Sequence, residues 1–323
     1  MTSSFVDLQV NGYGGVSFAD PSLTADDIAR AVQTLRAKGT SAFCPTVVTA
    51  APATYRHVLP LLADACDRFP TSLLGPHLEG PFISPEDGAV GAHPKEHVRP
   101  PSVDAFEHLQ NLARGRIRIL TLAPEVPGAM ELIEYATGQG IVVGLAHTRA
   151  GEDVIARAVQ AGARLSTHLG NGCPQMIHRH DNPIIAQLGS PLSSSIITDG
   201  HHLPPAFIRA VFAAKGVEET LVISDSAGIA GLPPGVYETA GAHVRMEPSG
   251  RISNLDAPGL AGSSATMLVC MQHITHLCGL SEDAVWRLGR DNPLTMLGLS
   301  GDDVDDARNV ACASGQPVLL EHE

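Results

Sequence analysis

Several short apolar runs of this chain end in an acidic or imidazole side chain. Glu79 closes SLLGPHLE, His147 closes IVVGLAH, His168 lies in ARLSTHL and Asp225 lies in TLVISDS. One carboxylate with two imidazoles is a common ligand set for a catalytic divalent metal that keeps a coordination position open for water. A further carboxylate can take a proton from that water and return it to a leaving group. The four residues therefore predict metal-assisted hydrolysis.

Each of these residues also has an ordinary structural explanation. A Glu at the end of a strand is often solvated at the rim of a sheet, because charged side chains are seldom buried without a partner. A single His in an apolar run is more often a core residue than a ligand, and Asp225 before SAGIAG could cap a following turn. The metal interpretation is favoured because the two histidines close consecutive runs while a carboxylate closes an earlier one.

Eight apolar runs alternate with amphipathic segments, a pattern typical of a parallel sheet with helices on its outer side. The predicted strands are Phe5 to Val10, Ser41 to Thr49, Ser72 to Glu79, Arg116 to Glu125, Ile141 to His147, Ala163 to Leu169, Ser193 to Asp199 and Thr220 to Ser226. The predicted helices between them are Thr24 to Lys38, Thr54 to Phe69, Ala129 to Gly138, Gly151 to Ala161 and Pro205 to Lys215. The simplest α/β architecture is a closed (β/α)₈ barrel of the TIM type, and a doubly wound open sheet is the alternative.

The remainder of the chain divides into an insert, two helical segments and a tail. The insert near 236–255 alternates in polarity and turns at Pro248 to Gly250, which predicts a β-hairpin. Helical patterns cover Gly262 to Cys278 and Ser281 to Leu297. We expect one hydrolase domain over 1–299, including the insert, and a C-terminal tail over 300–323.

Composition excludes several classes of protein. The 323 residues carry 21 Lys and Arg against 34 Asp and Glu, a net charge of −13, which argues against a nucleic-acid partner. No apolar stretch reaches the roughly 18 residues of a membrane helix, and the N-terminal residues lack the features of a signal peptide. The six cysteines form no C-x-x-C pair. We therefore expect a cytoplasmic enzyme with reduced cysteines, acting without a membrane.

The order of several motifs resembles one enzyme family. DLQVNG, GPHLEGPFISP with GAH, TLAPE, AHT, THLGN, DGHHLP, ISDS and LAGSSATM follow one another as in the N-acetylglucosamine-6-phosphate deacetylases of the amidohydrolase superfamily. The likeness runs from about Asp7 to about Leu299, and the combination of HLEGPF with GAH is its most specific part.

The resemblance implies a role for each matched residue. It implies that Glu79, His147 and His168 bind one divalent ion. Zinc is the first expectation for this ion, and iron or another divalent ion is left open. It also implies that Asp225 acts as general base and then as general acid. It also implies that His93 lies over the acyl carbonyl. Asn171 and His202 are implied to contact the sugar phosphate from within the same chain. Arg179 is implied to contact the phosphate in the partner subunit of a homodimer.

Some segments depart from the family pattern. The first strand has Gln9-Val10-Asn11 where many superfamily members have a His-x-His pair for a second metal, so a single metal is expected. GNGC, from Gly170 to Cys173, stands where the family usually has FNAM. The small β-domain of the family is expected to be reduced or missing.

Deacetylation of an amino sugar phosphate is the first hypothesis for the function. One alternative is hydrolysis of another N-acyl compound or of an unphosphorylated amino sugar. The other alternative is a catalytically silent sugar-binding relative.

Overall fold

The computed structural model describes residues 4–239, 242–256 and 259–304. In chain order the strands are β1 (Phe5–Val10), β2 (Gly12–Tyr13), β3 (Val16–Ser17), β4 (Thr40–Val48), β5 (His77–Glu79), β6 (Ile119–Leu122), β7 (Val142–Leu145), β8 (Leu165–Ser166), β9 (Ser193–Ile197), β10 (Thr220–Ile223), β11 (Gly235–Thr239), β12 (Ala242–Met246) and β13 (Ile252–Asn254). The α-helices are α1 (Ala25–Ala37), α2 (Pro52–Arg68), α3 (Val103–Leu112), α4 (Ala129–Gly138), α5 (Glu152–Gln160), α6 (Pro183–Leu188), α7 (Pro205–Lys215), α8 (Met267–Cys278), α9 (Glu282–Trp286) and α10 (Asn292–Met296).

Eight of these strands form one parallel sheet, in the order β1, β4, β5, β6, β7, β8, β9, β10. The first and last strands of that order meet, because the Asp225 amide donates to the Gln9 carbonyl at 3.0 Å and the Asn11 amide donates to the Ser226 carbonyl at 2.9 Å. The sheet therefore curls into a nearly closed barrel, as the alternation of strands and helices predicts, and the open-sheet alternative is wrong.

The side chain of Asp7 assists this closure. Its carboxylate accepts hydrogen bonds from the Ser224 hydroxyl at 2.5 Å and from the Ser224 amide at 3.2 Å, and so links β1 to the end of β10. Asp7 is 1% exposed, and burial raises its pKa to about 7, although the hydrogen bonds from Ser224 and Gln9 act in the opposite direction.

Local signals predict the ends of several helices, whereas α3 and α6 were not predicted. Thr24 caps α1 and forms a reciprocal capping box with Asp27. Helices α4 and α7 have the predicted limits.

Strand β5 is shorter than predicted, because Gly75 has a φ of 112° and Pro76 has no N–H to donate to a neighbouring strand. Among the residues described, no helix is long and apolar enough to cross a membrane.

Apolar side chains fill both faces of the barrel sheet. On β6 and β7, Leu120 and Val143 pack against the outer helices, whereas their neighbours Ile119 and Val142 belong to a separate cluster with Leu294 of α10. Alternate strand residues point to opposite faces. The barrel interior is therefore a packed core, and the open end available for chemistry is the one where the parallel strands terminate.

The structure also differs from the sequence-based expectations after β10. The insert forms a three-stranded antiparallel sheet of β11, β12 and β13, in which the predicted turn joins β12 to β13. The segment predicted as one helix over Ser281 to Leu297 is interrupted by a π-helical turn over Arg287–Asp291. Pro293 explains the interruption, since its ring would clash with the carbonyl four residues earlier in a regular α-helix. The expected tail lies outside the described residues from 305 onward.

Candidate active site

Three predicted ligands converge at the C-terminal end of the barrel. Glu79 ends β5, His147 follows β7 and His168 follows β8. The Oε1 atom of Glu79 lies 3.2 Å from His147 Nε2 and 2.9 Å from His168 Nε2, and the two nitrogens are 3.2 Å apart. All three side chains are buried. The fold thus brings together one oxygen and two nitrogens from three different strands.

The chemistry of this donor set fits a divalent cation. His147 Nδ1 lies 2.9 Å from the Ala89 carbonyl, which can only accept, so Nδ1 carries the proton and the lone pair of Nε2 faces Glu79 and His168. Ligands of a tetrahedral zinc ion lie roughly 3.3 Å from one another, close to the three separations here. Although burial opposes ionisation, the contacts with His147 and His168 hold the pKa of Glu79 well below its ordinary value. These residues form a group able to hold a metal ion.

The backbone at this end of the barrel is unusual. Four non-glycine residues in the described part of the chain have positive φ, and three of them are His147 at 50°, His168 at 37° and Asp225 at 50°. Left-handed backbone is uncommon outside glycine and gathers at functional sites. The three strand ends therefore turn sharply to aim their side chains at one point.

Asp225 is held in this group by two side-chain amides. Its Oδ1 atom accepts from Gln9 Nε2 at 3.0 Å and from Asn11 Nδ2 at 2.7 Å, and Gln9 Nε2 also lies 3.0 Å from Glu79 Oε1. The Oδ2 atom has no hydrogen-bond partner among the described residues. Burial raises the pKa of Asp225 to about 6, and the nearby Glu79 carboxylate adds to that increase. A carboxylate in this environment can accept a proton and release it again.

His93 reaches the same group from the loop after β5. Its ring centroid is 4.3 Å from that of His147. The Thr49 amide donates to His93 Nδ1 at 3.3 Å, and the Thr49 hydroxyl is 2.9 Å from that atom. Because a backbone amide can only donate, Nδ1 is the acceptor and the ring proton lies on Nε2. Burial lowers the pKa of His93 to about 3, so its ring is neutral and can donate one hydrogen bond.

A cavity of about 440 Å³ connects these residues to the solvent. Asn171 and His202 line it, as does Arg251 on β13. Arg179 lies instead on an exposed loop and is not among the lining residues of its own chain. Glu125 is also absent from the lining and accepts from the Arg149 amide at 2.8 Å.

Comparison with known proteins identifies the relatives of this chain. It is 33% identical to the N-acetylglucosamine-6-phosphate deacetylase of Caenorhabditis elegans over 94% of this chain and 75% of that protein. The enzyme of the same name from Bacillus subtilis is 32% identical over 91% of this chain and 74% of its own length. The chain belongs to the N-acetylglucosamine-6-phosphate deacetylase family. No family model matched.

Solved structures of the deacetylase family share this fold. The N-acetyl-D-glucosamine-6-phosphate deacetylase of Mycobacterium smegmatis superposes with a TM-score of 0.85 at 31% identity, covering 92% of this chain and 78% of that one. A further relative by sequence, the N-acetylgalactosamine-6-phosphate deacetylase from Escherichia coli O157:H7, is 30% identical over 92% of this chain and 78% of its own length. The chain is therefore a hydrolase of the amidohydrolase superfamily with a barrel of the TIM type.

Several contacts in this family member were not accessible to sequence reasoning. The Ala89 carbonyl and Thr49, which fix the tautomers of His147 and His93, carry no pattern that marks them in the sequence. Arg251 reaches the cavity only because the three-stranded insert folds over the barrel end. Asp199 and the Gln9 and Asn11 pair are visible as polar residues at strand ends, but only the structure shows what they touch.

Proposed function

We propose that this chain removes the N-acetyl group of an amino sugar phosphate by hydrolysis. The first candidate substrate is N-acetylglucosamine 6-phosphate. The convergence of Glu79, His147 and His168 beside an amide-held Asp225 is the observation that carries the proposal. The curated relatives are named for this reaction. N-acetylgalactosamine 6-phosphate is the second candidate, because one relative is named for it.

We assign one divalent ion to Glu79, His147 and His168, with zinc first because two imidazoles and one carboxylate suit it. Such an ion supplies a water of lowered pKa and polarises the acyl oxygen. Iron and other divalent ions are the alternatives for this site. Gln9 and Asn11 donate to carboxylates here and present no imidazole, which supports a single ion per chain.

The proton transfers fall to Asp225. Its Oδ2 takes a proton from the attacking water while Gln9 and Asn11 hold Oδ1. The protonated carboxyl group then donates to the amide nitrogen as the C–N bond breaks, so one residue serves as base and then as acid. His93, neutral and protonated on Nε2, donates a hydrogen bond to the acyl oxygen as negative charge develops there.

Asn171 and His202 are proposed to bind the sugar phosphate from within the cavity, and Arg179 from the partner subunit of a homodimer. Around Arg179 lie apolar side chains that a monomer would leave in water: Met176 is 91% exposed, Ile177 38% and Ile185 52%. Exposed apolar patches of this kind are typical of protein interfaces.

The domain limits of 1–299 and 300–323 and a cytoplasmic location also stay proposals. The free cysteines of the described residues support the cytoplasmic location.

A substrate panel tests the proposed function. Amine release is measured with N-acetylglucosamine 6-phosphate, N-acetylgalactosamine 6-phosphate, N-acetylglucosamine and an N-propionyl analogue, on protein whose metal content is known. We expect about one divalent ion per chain and kcat/KM at least about tenfold higher for a 6-phosphorylated sugar, since charge-assisted hydrogen bonds contribute about 1.5–3 kcal/mol. A preference for the free sugar, or no hydrolysis by metal-replete protein, would contradict the proposal.

A further inference from the structure

A buried carboxylate holds His202 from the side opposite to its free ring nitrogen. Asp199 Oδ2 accepts from His202 Nδ1 at 2.8 Å. Asp199 Oδ1 accepts from the backbone amides of His201 at 2.9 Å and of His202 at 3.0 Å. The side chains of Asp199 and His202 are only 2% and 6% exposed. Three donors therefore fix both the turn after β9 and the orientation of the His202 ring.

The same contacts determine which His202 atom is available to a ligand. Burial opposes the charge of Asp199, but the hydrogen bonds from His202 and from the backbone hold the pKa of this carboxylate far below its ordinary value. An ionised carboxylate can only accept, so His202 Nδ1 carries a proton. His202 Nε2 makes no hydrogen bond within the described part of the chain, and His202 lines the cavity.

The turn that carries Asp199 and His202 is docked against the insert. His201 Nε2 lies 3.0 Å from the Ser249 carbonyl, in the turn between β12 and β13. Arg251, two residues further on, lines the same cavity, and its guanidinium donates to the Ser253 hydroxyl at 2.8 Å and to the Glu247 carboxylate at 3.3 Å. One region of the cavity wall thus combines an imidazole backed by a carboxylate with a guanidinium, in a chain whose net charge is −13.

We infer that Asp199 is a positioning residue for phosphate recognition, which holds His202 so that Nε2–H is presented to the phosphate of the amino sugar. The inference rests on the proposed function. A phosphate oxygen next to Nε2 can accept a hydrogen bond from it when Nε2 carries a proton in addition to the one on Nδ1. The ring is then an imidazolium whose charge Asp199 balances, and its hydrogen bond to phosphate is charge-assisted.

The test is to replace Asp199 by an amide of the same shape. In Asp199→Asn the amide oxygen can still accept the two backbone N–H groups, but the negative charge opposite His202 is lost. We expect KM for N-acetylglucosamine 6-phosphate to rise about 10- to 100-fold, the value of a charge-assisted hydrogen bond. The kcat at saturation should stay within about twofold, and kcat/KM for unphosphorylated N-acetylglucosamine should not change. An equal loss with both sugars, or no loss, would overturn the inference.

A double-mutant cycle shows whether Asp199 acts through His202. The variants are Asp199→Asn, His202→Gln and the two combined, and the measured quantity is KM for the phosphorylated sugar. If Asp199 works by positioning His202, the combined variant should match His202→Gln within about twofold. Effects that multiply would assign Asp199 an independent role and refute the inference. Asp199→Ser is the second variant, used if Asp199→Asn does not fold, because its hydroxyl can still accept a backbone N–H group.

Asp256 and His243 offer a matched control outside the cavity. Asp256 Oδ2 accepts from the His243 amide at 2.7 Å and lies 3.2 Å from His243 Nδ1, on side chains more than half exposed. Asp256→Asn therefore removes an Asp–His pair of the same kind, and KM for the phosphorylated sugar should be unchanged. A rise equal to that of Asp199→Asn would point to net charge and overturn the inference.

Direct binding of inorganic phosphate separates this inference from the proposed function. Calorimetry of the metal-loaded protein should show that Asp199→Asn weakens phosphate binding at least about tenfold, whether or not either sugar is hydrolysed. If no sugar is hydrolysed but this weakening occurs, the deacetylase function fails and the positioning of His202 stands. If the sugar phosphate is hydrolysed and phosphate affinity is the same in both proteins, the inference fails and the function stands.

Discussion

Two side-chain amides converge on one oxygen of Asp225, whereas its other oxygen has no hydrogen-bond partner among the described residues. Gln9 and Asn11 donate to Oδ1 at 3.0 and 2.7 Å, and the proposed mechanism assigns the proton transfers to Oδ2. An N-capping role, the other explanation of this residue, would place its carboxylate on backbone amides of the following turn. The described contacts of the Asp225 carboxylate are instead with side chains of the adjacent strand β1 and the residue that follows it.

Asp225→Asn should therefore reduce kcat without removing the metal. An amide oxygen can still accept from Gln9 and Asn11, but the amide cannot take or return a proton. We expect kcat to fall about 10²- to 10⁴-fold, the usual contribution of general acid–base catalysis, with metal content and the unfolding midpoint near those of the wild type. Steady-state kinetics and elemental analysis on the same preparation provide the measurement.

Asp64→Asn is the matched control for that variant, because Asp64 is an exposed carboxylate paired with Arg114 on the outside of the barrel. Its kcat should equal that of the wild type. A folded, metal-loaded Asp225→Asn protein that kept more than a tenth of the wild-type kcat would remove Asp225 from the mechanism.

At the scale of elements, two loops meet on either side of the His147 ring. A Cβ added to Gly172 would lie 2.9 Å from His147 Nδ1, and one added to Gly91 would lie 3.1 Å from Cε1 of the same ring. Both glycines have φ near 60°. The loops after β5 and β8 can pack against the His147 ring only because neither carries a side chain there.

Gly172→Ala should weaken metal binding by displacing His147. We expect a loss of about 10- to 100-fold in metal affinity, the usual effect of disturbing the groups that orient a ligand, measured by competition with a chelator. Gly279→Ala is the control, since Gly279 has a similar φ of 62° with nothing within 4 Å of the added Cβ. Equal metal affinities in the two variants would show that backbone strain, rather than the contact with His147, accounts for any change.

On the scale of the whole molecule, the closure of the barrel predicts a pH dependence of stability. Burial raises the pKa of Asp7 to about 7 from 3.8, so between these values the folded state holds a proton that the unfolded state releases. The contribution of Asp7 to the free energy of unfolding should then decrease as the pH rises from about 4 to about 7, by on the order of a few kcal/mol. Urea unfolding of the wild type and of Asp7→Asn across this range measures it, and two profiles that run parallel would contradict it.

The proposed homodimer predicts complementation between two variants that each lack one part of the site. If Arg179 serves the site of the partner subunit, a mixed dimer of Arg179→Ala and Asp225→Asn chains contains one site with both residues intact. Mixing the two proteins under conditions that exchange subunits should then restore activity toward a 6-phosphorylated sugar at low substrate concentration, to about a quarter of the wild-type value for random pairing into dimers. No recovery, with mixed dimers present by mass, would place Arg179 in its own site or outside recognition.

The amino-acid sequence by itself determined the alternation of strands and helices and selected the residues proposed as metal ligands. Alternating apolar runs and a capping box are local properties, so β1, α1, α4 and α7 could be located without a structure. Polar residues at the ends of parallel strands must gather at one end of a barrel, which is why Glu79, His147, His168 and Asp225 could be selected together.

Only the tertiary structure decided how these side chains are oriented. The positive φ of His147, the tautomers imposed by Ala89 and Thr49, and the hold of Asp199 on His202 arise between segments far apart in the chain or from backbone strain. Pattern and propensity describe neighbours in sequence and contain no information on such contacts. The three-stranded insert shows the same limit, because its position over the barrel end, where Arg251 reaches the cavity, depends on packing rather than on its own alternation.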